Sequence, residues 1–139
     1  MMKRKGFTLL EMVIVLGILS IMLGVAVLSI TMVQERELDH MLEDLRFART
    51  YAVAHQKSVR VHFDTDNNSY RVVSEDGSEL LARQLRRITM DKPRHIGNTL
   101  VIYPTGAFSK CGHIPISYGA KSLYLNFTVG VARFTVTEP

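Results

Sequence analysis

Few residues of this 139-residue sequence are grouped so that they could do chemistry. Asp64, Asp66 and Asn68 alternate, and Glu75 follows, a partial copy of an oxygen-ligand calcium loop. Such a loop needs Gly at its sixth position, where Ser69 stands, and Tyr70-Arg71-Val72-Val73 continues as strand sequence, so a hairpin turn is expected here. Cys111-Gly112-His113 offers two metal-ligating side chains, fewer than a zinc set. His40, His55, His62 and His95 share no helical or strand spacing with them, so no metal site is expected. Cys111 is the single cysteine, and a disulfide from it would have to reach another chain. No G-x-S-x-G elbow and no glycine-rich phosphate loop occurs, so neither catalytic residues nor a cofactor are expected and the chain reads as a non-enzyme. Arg83, Arg86, Arg87, Lys92 and Arg94 form a basic stretch opposed only by Asp91. Arg83, Arg86, Arg87 and Arg94 are therefore candidate contacts to DNA phosphates, although no aromatic side chains are interleaved to stack bases and a solvated surface is the expected role. The most costly side chain is Glu11. It lies inside an apolar stretch beginning at Phe7, and a carboxylate in lipid is unfavourable unless paired.

The elements that position these residues follow from the distribution of charge and hydropathy. The chain has 17 Lys+Arg and 13 Asp+Glu, net +4. Lys3, Arg4 and Lys5 supply three of those positive charges, so residues 7–139 carry 14 against 13, a net of +1. The basic pI is thus no sign of a nucleic-acid-binding surface. One ordinary domain fits the length, and two well-cored ones do not. From Met12 to Ile30 no residue is charged, long enough for a membrane-spanning helix of roughly 20 residues. A small soluble domain could not surround so long a helix that is apolar on every side. A secretory signal peptide has a shorter apolar region and a small-residue cleavage site. The three basic residues before the span predict an N-terminus held in the cytoplasm and a C-terminal head outside the inner or cytoplasmic membrane.

The order of short basic leader, Gly6, Phe7, Thr8, Leu9, Leu10, Glu11 and apolar run resembles the class III signal of type IV pilins and pseudopilins. That resemblance implies a chain cut by a prepilin peptidase between Gly6 and Phe7 and N-methylated on Phe7. It also implies that Glu11 forms an assembly salt bridge with the new α-ammonium of a neighbouring subunit. Such a pair is strong in low dielectric while each half alone is costly. The implied organisation is a leader at 1–6, a transmembrane and filament-core helix at 7–30, and a pseudopilin head at 31–139. The implied partners are prepilin peptidase, other pilins or pseudopilins of the filament, membrane lipid and, through the basic stretch, DNA. Many major pilins carry a helix-breaking Pro where this sequence has Leu28, a departure that points to a minor subunit.

Beyond Ile30 the sequence turns polar and has no Gly or Pro until Gly77. Leu38, Met41, Leu42, Leu45, Ala48 and Ala52 form a one-sided stripe, with Arg36, Asp39, Glu43, Arg46 and Arg49 expected on the remaining surface. One helix is therefore expected from about residue 7 to 57. Alternation predicts strands at 59–63, 70–73, 80–85, 99–103, 113–117, 122–129 and 131–136, with a hairpin or bulge centred on Gly130. The expected fold class is α+β, type IV pilin-like: one long N-terminal helix packed on an antiparallel sheet. Leu45-Arg46-Phe47-Ala48-Arg49-Thr50-Tyr51-Ala52 and the segment from Ser122 to Phe134 resemble GspH/FimT-type minor pseudopilins and the ComGD type of competence pseudopilin. ComGD-type sequences usually place Gly where Ala132 precedes Arg133. The resemblance implies a minor subunit of a DNA-uptake pseudopilus. A type II secretion system, a type IV pilus and a DNA-binding tip subunit stand as its alternatives.

Overall fold

The computed structural model describes residues 8–129 and 133–138. Gly6, Phe7, Gly130 and Val131, which figure in the expectations above, lie outside the described residues. Helix α1 runs Leu9–His55. Eight strands follow: β1 Val59–Asp64, β2 Ser69–Ser74, β3 Glu79–Gln84, β4 Thr89–Met90, β5 Thr99–Ile102, β6 Gly112–Tyr118, β7 Lys121–Thr128 and β8 Arg133–Thr137. The chain divides into two compact units, one ending at Val33 and one beginning at Gln34.

In the first unit, Leu9–Leu28 is a helix long and apolar enough to cross a membrane, with a mean hydropathy of 2.6 and none of its residues buried by the protein itself. Leu9, Leu16, Ile21 and Leu23 are each more than half exposed. An aqueous surface would not tolerate such a continuous apolar sleeve, whereas lipid requires it. Ser20 within it satisfies its hydroxyl by donating to the Leu16 carbonyl at 2.8 Å, the usual way a hydroxyl is accommodated in a helix in lipid.

In the second unit the strands divide into two antiparallel four-stranded sheets, where the sequence suggested one. Their orders are β3-β2-β1-β5 and β4-β6-β7-β8. The alternation that predicted the strands sets their inward faces. Val59, Val61 and Phe63 of β1, Tyr70 and Val72 of β2, and Leu123, Leu125 and Phe127 of β7 are all buried. The α1 stripe meets them with Leu38, Met41, Leu45, Ala48 and Ala52, all buried. Where the two inner faces meet, Phe63 approaches Phe127 at 6.4 Å between centroids, and Phe108 meets Phe127 edge-on at 5.7 Å. These are the separations at which aromatic pairs are attractive beyond the area they bury.

Two polar clips fasten the segment joining the sheets. Asn68, at a positive φ of 49°, donates from Nδ2 to the carbonyls of Leu85 and Ile88 at 3.0 and 2.7 Å, and its Oδ1 accepts from the Met90 N–H at 2.8 Å. Glu37 of α1 accepts from three successive backbone N–H groups, Arg86, Arg87 and Ile88, at 3.0, 2.8 and 3.0 Å. Consecutive amides converging on one anion form a nest, and here the helix itself supplies the anion. Strand β4, only two residues long and not anticipated from the sequence, is the point at which this clipped segment enters the second sheet. Gly112 is required by close approach: a Cβ there would lie 2.2 Å from the Arg94 carbonyl oxygen and 3.0 Å from Ile96 Cγ2. The Cys111-Gly112-His113 triplet thus has a packing role through its middle residue.

Candidate functional site

The start of α1 is built by Thr8. Its carbonyl accepts from the Met12 N–H at 3.2 Å, opening the helical ladder, and its Oγ1 accepts from the Glu11 N–H at 3.3 Å. Thr8-x-x-Glu11 is the spacing of a capping box, in which a hydroxyl satisfies one orphan donor of the first turn. The Glu11 carboxylate stands in that first turn, where the helix dipole favours negative charge. It is exposed, and among the described residues no cation lies within ion-pair distance of it. A carboxylate at the head of a lipid-compatible helix is costly unless a cation meets it.

The basic stretch is not one surface. Arg83 is held by a buried carboxylate on α1: its Nε donates to Asp44 Oδ2 at 2.7 Å and its Nη2 to Oδ1 at 3.3 Å. The same Oδ2 accepts from the Tyr70 hydroxyl at 2.6 Å. Tyr70 and Arg83 are directly opposite across β2 and β3, so the sheet presents both donors to the helix together. Burial, and then the hydrogen bond to Asp44, push the Tyr70 hydroxyl well above the usual phenol range. The hydrogen bond to Asp44 likewise holds the Arg83 guanidinium charged. Arg83 is thereby a structural ion-pair partner, its guanidinium already engaged by Asp44. Arg86 and Arg87 are exposed on the segment whose backbone Glu37 holds, and exposed Arg94 sits where its backbone bridges to His113. Sequence reasoning missed Asp44 and Glu37. The signal for Asp44 was its place between Met41 and Leu45 on the buried flank of the stripe. Nothing local marks Glu37.

The Asp64–Asn68 segment is a hairpin turn. Asp64 accepts from the Asn67 N–H at 3.1 Å and from its Nδ2 at 2.7 Å, bonds that hold its carboxyl below the ordinary range, and Asn68 is turned inward as described. Glu75 is elsewhere, accepting from the Ser58 N–H at 3.0 Å. Among the described residues no group of three or more acidic, histidine or cysteine side chains is placed to hold a metal ion. Cys111 is exposed with a free thiol.

His62 faces outward between β2 and β5, its Nδ1 2.9 Å from Thr99 Oγ1. Partial burial, then the positive charges of Arg71 and Arg60, lower its pKa from the ordinary 6.5. The unfolded chain then binds the proton more readily than the native head. The stability due to neutral His62 is complete above about pH 6.5 and is lost as pH falls through the depressed native value. Asp64 and Asp76, with pKa values lowered by their own hydrogen bonds, lose their contribution only below about pH 4. Thermal unfolding of the full chain in micelles should therefore show a midpoint that falls as pH is lowered from about 6.5, and His62→Gln should flatten that fall.

The comparisons with known proteins bear on both ends of this description. A model of the prokaryotic N-terminal methylation motif matches residues 1–32. The crystal structure of the type IV minor pilin FimU from Pseudomonas aeruginosa superposes with a TM-score of 0.60 at 15% identity, covering 74% of this chain and 87% of that one. The fold is that of a type IV pilin. Among curated proteins none matches the sequence. The α+β expectation, an N-terminal apolar helix followed by antiparallel sheet, thus describes a pilin-like chain whose motif, residues 1–32, ends within α1.

Proposed function

We propose that this pilin-like chain is a minor subunit of a type IV pilus or pseudopilus, made as a prepilin. A prepilin peptidase cuts between Gly6 and Phe7 and methylates Phe7. The Leu9–Leu28 helix holds the subunit in the membrane with the head outside until assembly. In the filament Glu11 pairs with the Phe7 ammonium of a neighbouring subunit. The observation carrying this is the coincidence, in one short chain, of the methylation motif at residues 1–32 with a pilin-type head. The role is structural: the chain is a substrate of the peptidase and a building block for other pilins.

The finer proposal is a subunit of a competence pseudopilus that supports DNA uptake, on the strength of the ComGD-like segments around Leu45–Ala52 and Ser122–Phe134. Deleting the gene should abolish natural transformation, and re-expression should restore it, while secreted-enzyme levels and twitching stay normal. Loss of secretion or of pili with transformation intact would instead assign the subunit to a type II secretion system or a type IV pilus. The likeness to a type IV minor pilin favours the latter of these two. A DNA-binding tip role would rest on exposed Arg86, Arg87 and Arg94, because Arg83 is engaged by Asp44. It has the weaker support, since these side chains lie on segments held by different partners.

A further inference from the structure

Beside the C-terminal part of α1 lies a groove of about 650 Å³, walled by Arg46, Arg49, Val53 and Ala54 of the helix and by Arg133 and Phe134 of β8. Adjacent residues of a strand point to opposite faces of a sheet, so a groove that both Arg133 and Phe134 line runs along the edge of β8. Among the described residues that edge is open: β8 is outermost in its sheet and pairs with β7 alone. Its residues, Arg-Phe-Thr-Val-Thr, include no Pro and one charge, Arg133, so four of the five positions along the edge are uncharged. The Arg46 guanidinium lies 5.7 Å over the Phe134 ring, which places a cation on the groove wall. No carboxylate among the described residues is within ion-pair distance of Arg46, Arg49 or Arg133.

We propose that this groove receives an extended segment of a second protein, which adds to β8 as a further strand and carries carboxylates that meet the three arginines. Main-chain pairing would supply affinity, the arginines would select an acidic partner, and the Val53, Ala54 and Phe134 floor would take its apolar side chains. A second copy of this chain is a poor occupant. Its other edge strands, β3, β4 and β5, contain Glu79 as their one carboxylate, and a β8–β8 pairing would crowd both sets of arginines into one groove.

The test uses the full chain in detergent micelles and a capped seven-residue peptide of alternating Glu and Val. Hydrogen exchange of the amides of residues 133–137 should slow several-fold with this peptide. It should not slow with a Lys-for-Glu peptide or with one whose central Val is replaced by Pro. The double variant Arg46→Gln/Arg133→Gln should bind the Glu peptide roughly tenfold more weakly, at an unchanged unfolding midpoint. Should that variant fail to fold, the Lys and Pro peptides on the natural chain still decide the matter. Unchanged exchange at β8 would overturn the proposal, as would equal protection by the Lys or Pro peptide. A single-stranded oligonucleotide that protects β8 and displaces the Glu peptide would also overturn it, making the groove a polyanion site.

Discussion

Glu11→Ala is expected to leave the head folded and the protein in the membrane, yet reduce its incorporation into sheared filaments by at least tenfold. The carboxylate lies in the first turn of α1, within the unit that ends at Val33, and no residue of the head core is bonded to it. Its removal cannot disturb the packing around Met41 and Leu45. On the function proposed above, what it removes is the counter-charge for the Phe7 ammonium of a neighbouring subunit. Breaking one half of a pair out of water costs about 3–5 kcal/mol, against about 1.4 kcal/mol for each tenfold change in an equilibrium. Glu11→Gln should fail nearly as badly, since it keeps the shape and discards the charge. Immunoblotting of the membrane and of sheared filaments reads both quantities from the same cells. Normal incorporation of either variant would overturn the pairing and leave the carboxylate only its favourable place in the first turn of the helix.

Asp44→Ala is expected to be the most damaging single change in the head away from the apolar core. The carboxylate is 8% exposed as a residue and is shared by Tyr70 and Arg83. Its loss leaves the buried Tyr70 hydroxyl without its acceptor and frees the guanidinium. A hydrogen bond to a charged group is worth about 1.5–3 kcal/mol, and an orphaned buried donor costs a similar amount. The Arg83 side chain is 38% exposed, so its ion pair is partly screened and adds less. A loss of about 2–3 kcal/mol should lower the unfolding midpoint of the full chain in micelles by roughly 10 °C or more. Arg83→Gln should cost distinctly less, because Tyr70 keeps its acceptor. Equal effects of the two variants would mean that the ion pair, and not the buried tyrosine, fastens β2 and β3 to the helix.

What could be read from the sequence was local. The basic residues Lys3, Arg4 and Lys5, Glu11 and the uncharged run sit within thirty residues of one another, so their spacing alone carried the methylation motif. The strands at 59–64 and 121–128 were legible because alternation is a property of each strand by itself. The division into two sheets was not, since it depends on which strand pairs with which, and β4 is too short to show a period. The ion pair of Arg83 was hidden for the same reason. In sequence it stands among Arg86, Arg87 and Arg94, and only the fold brings Asp44, thirty-nine residues earlier, to within 2.7 Å of it. Glu37 and Asn68 act over similar separations, through backbone groups that have no signature in the sequence.

The central claim is that this chain is a processed pilin subunit, and mass spectrometry of the mature N-terminus tests it most directly. Protein extracted from membranes of cells that contain a prepilin peptidase should begin at Phe7, carrying one methyl group on its α-amine. The same protein from cells lacking the peptidase should retain the leader through Gly6. A chain that keeps Met1 or Met2 in the presence of the peptidase, or that is cut anywhere other than between Gly6 and Phe7, would contradict the account.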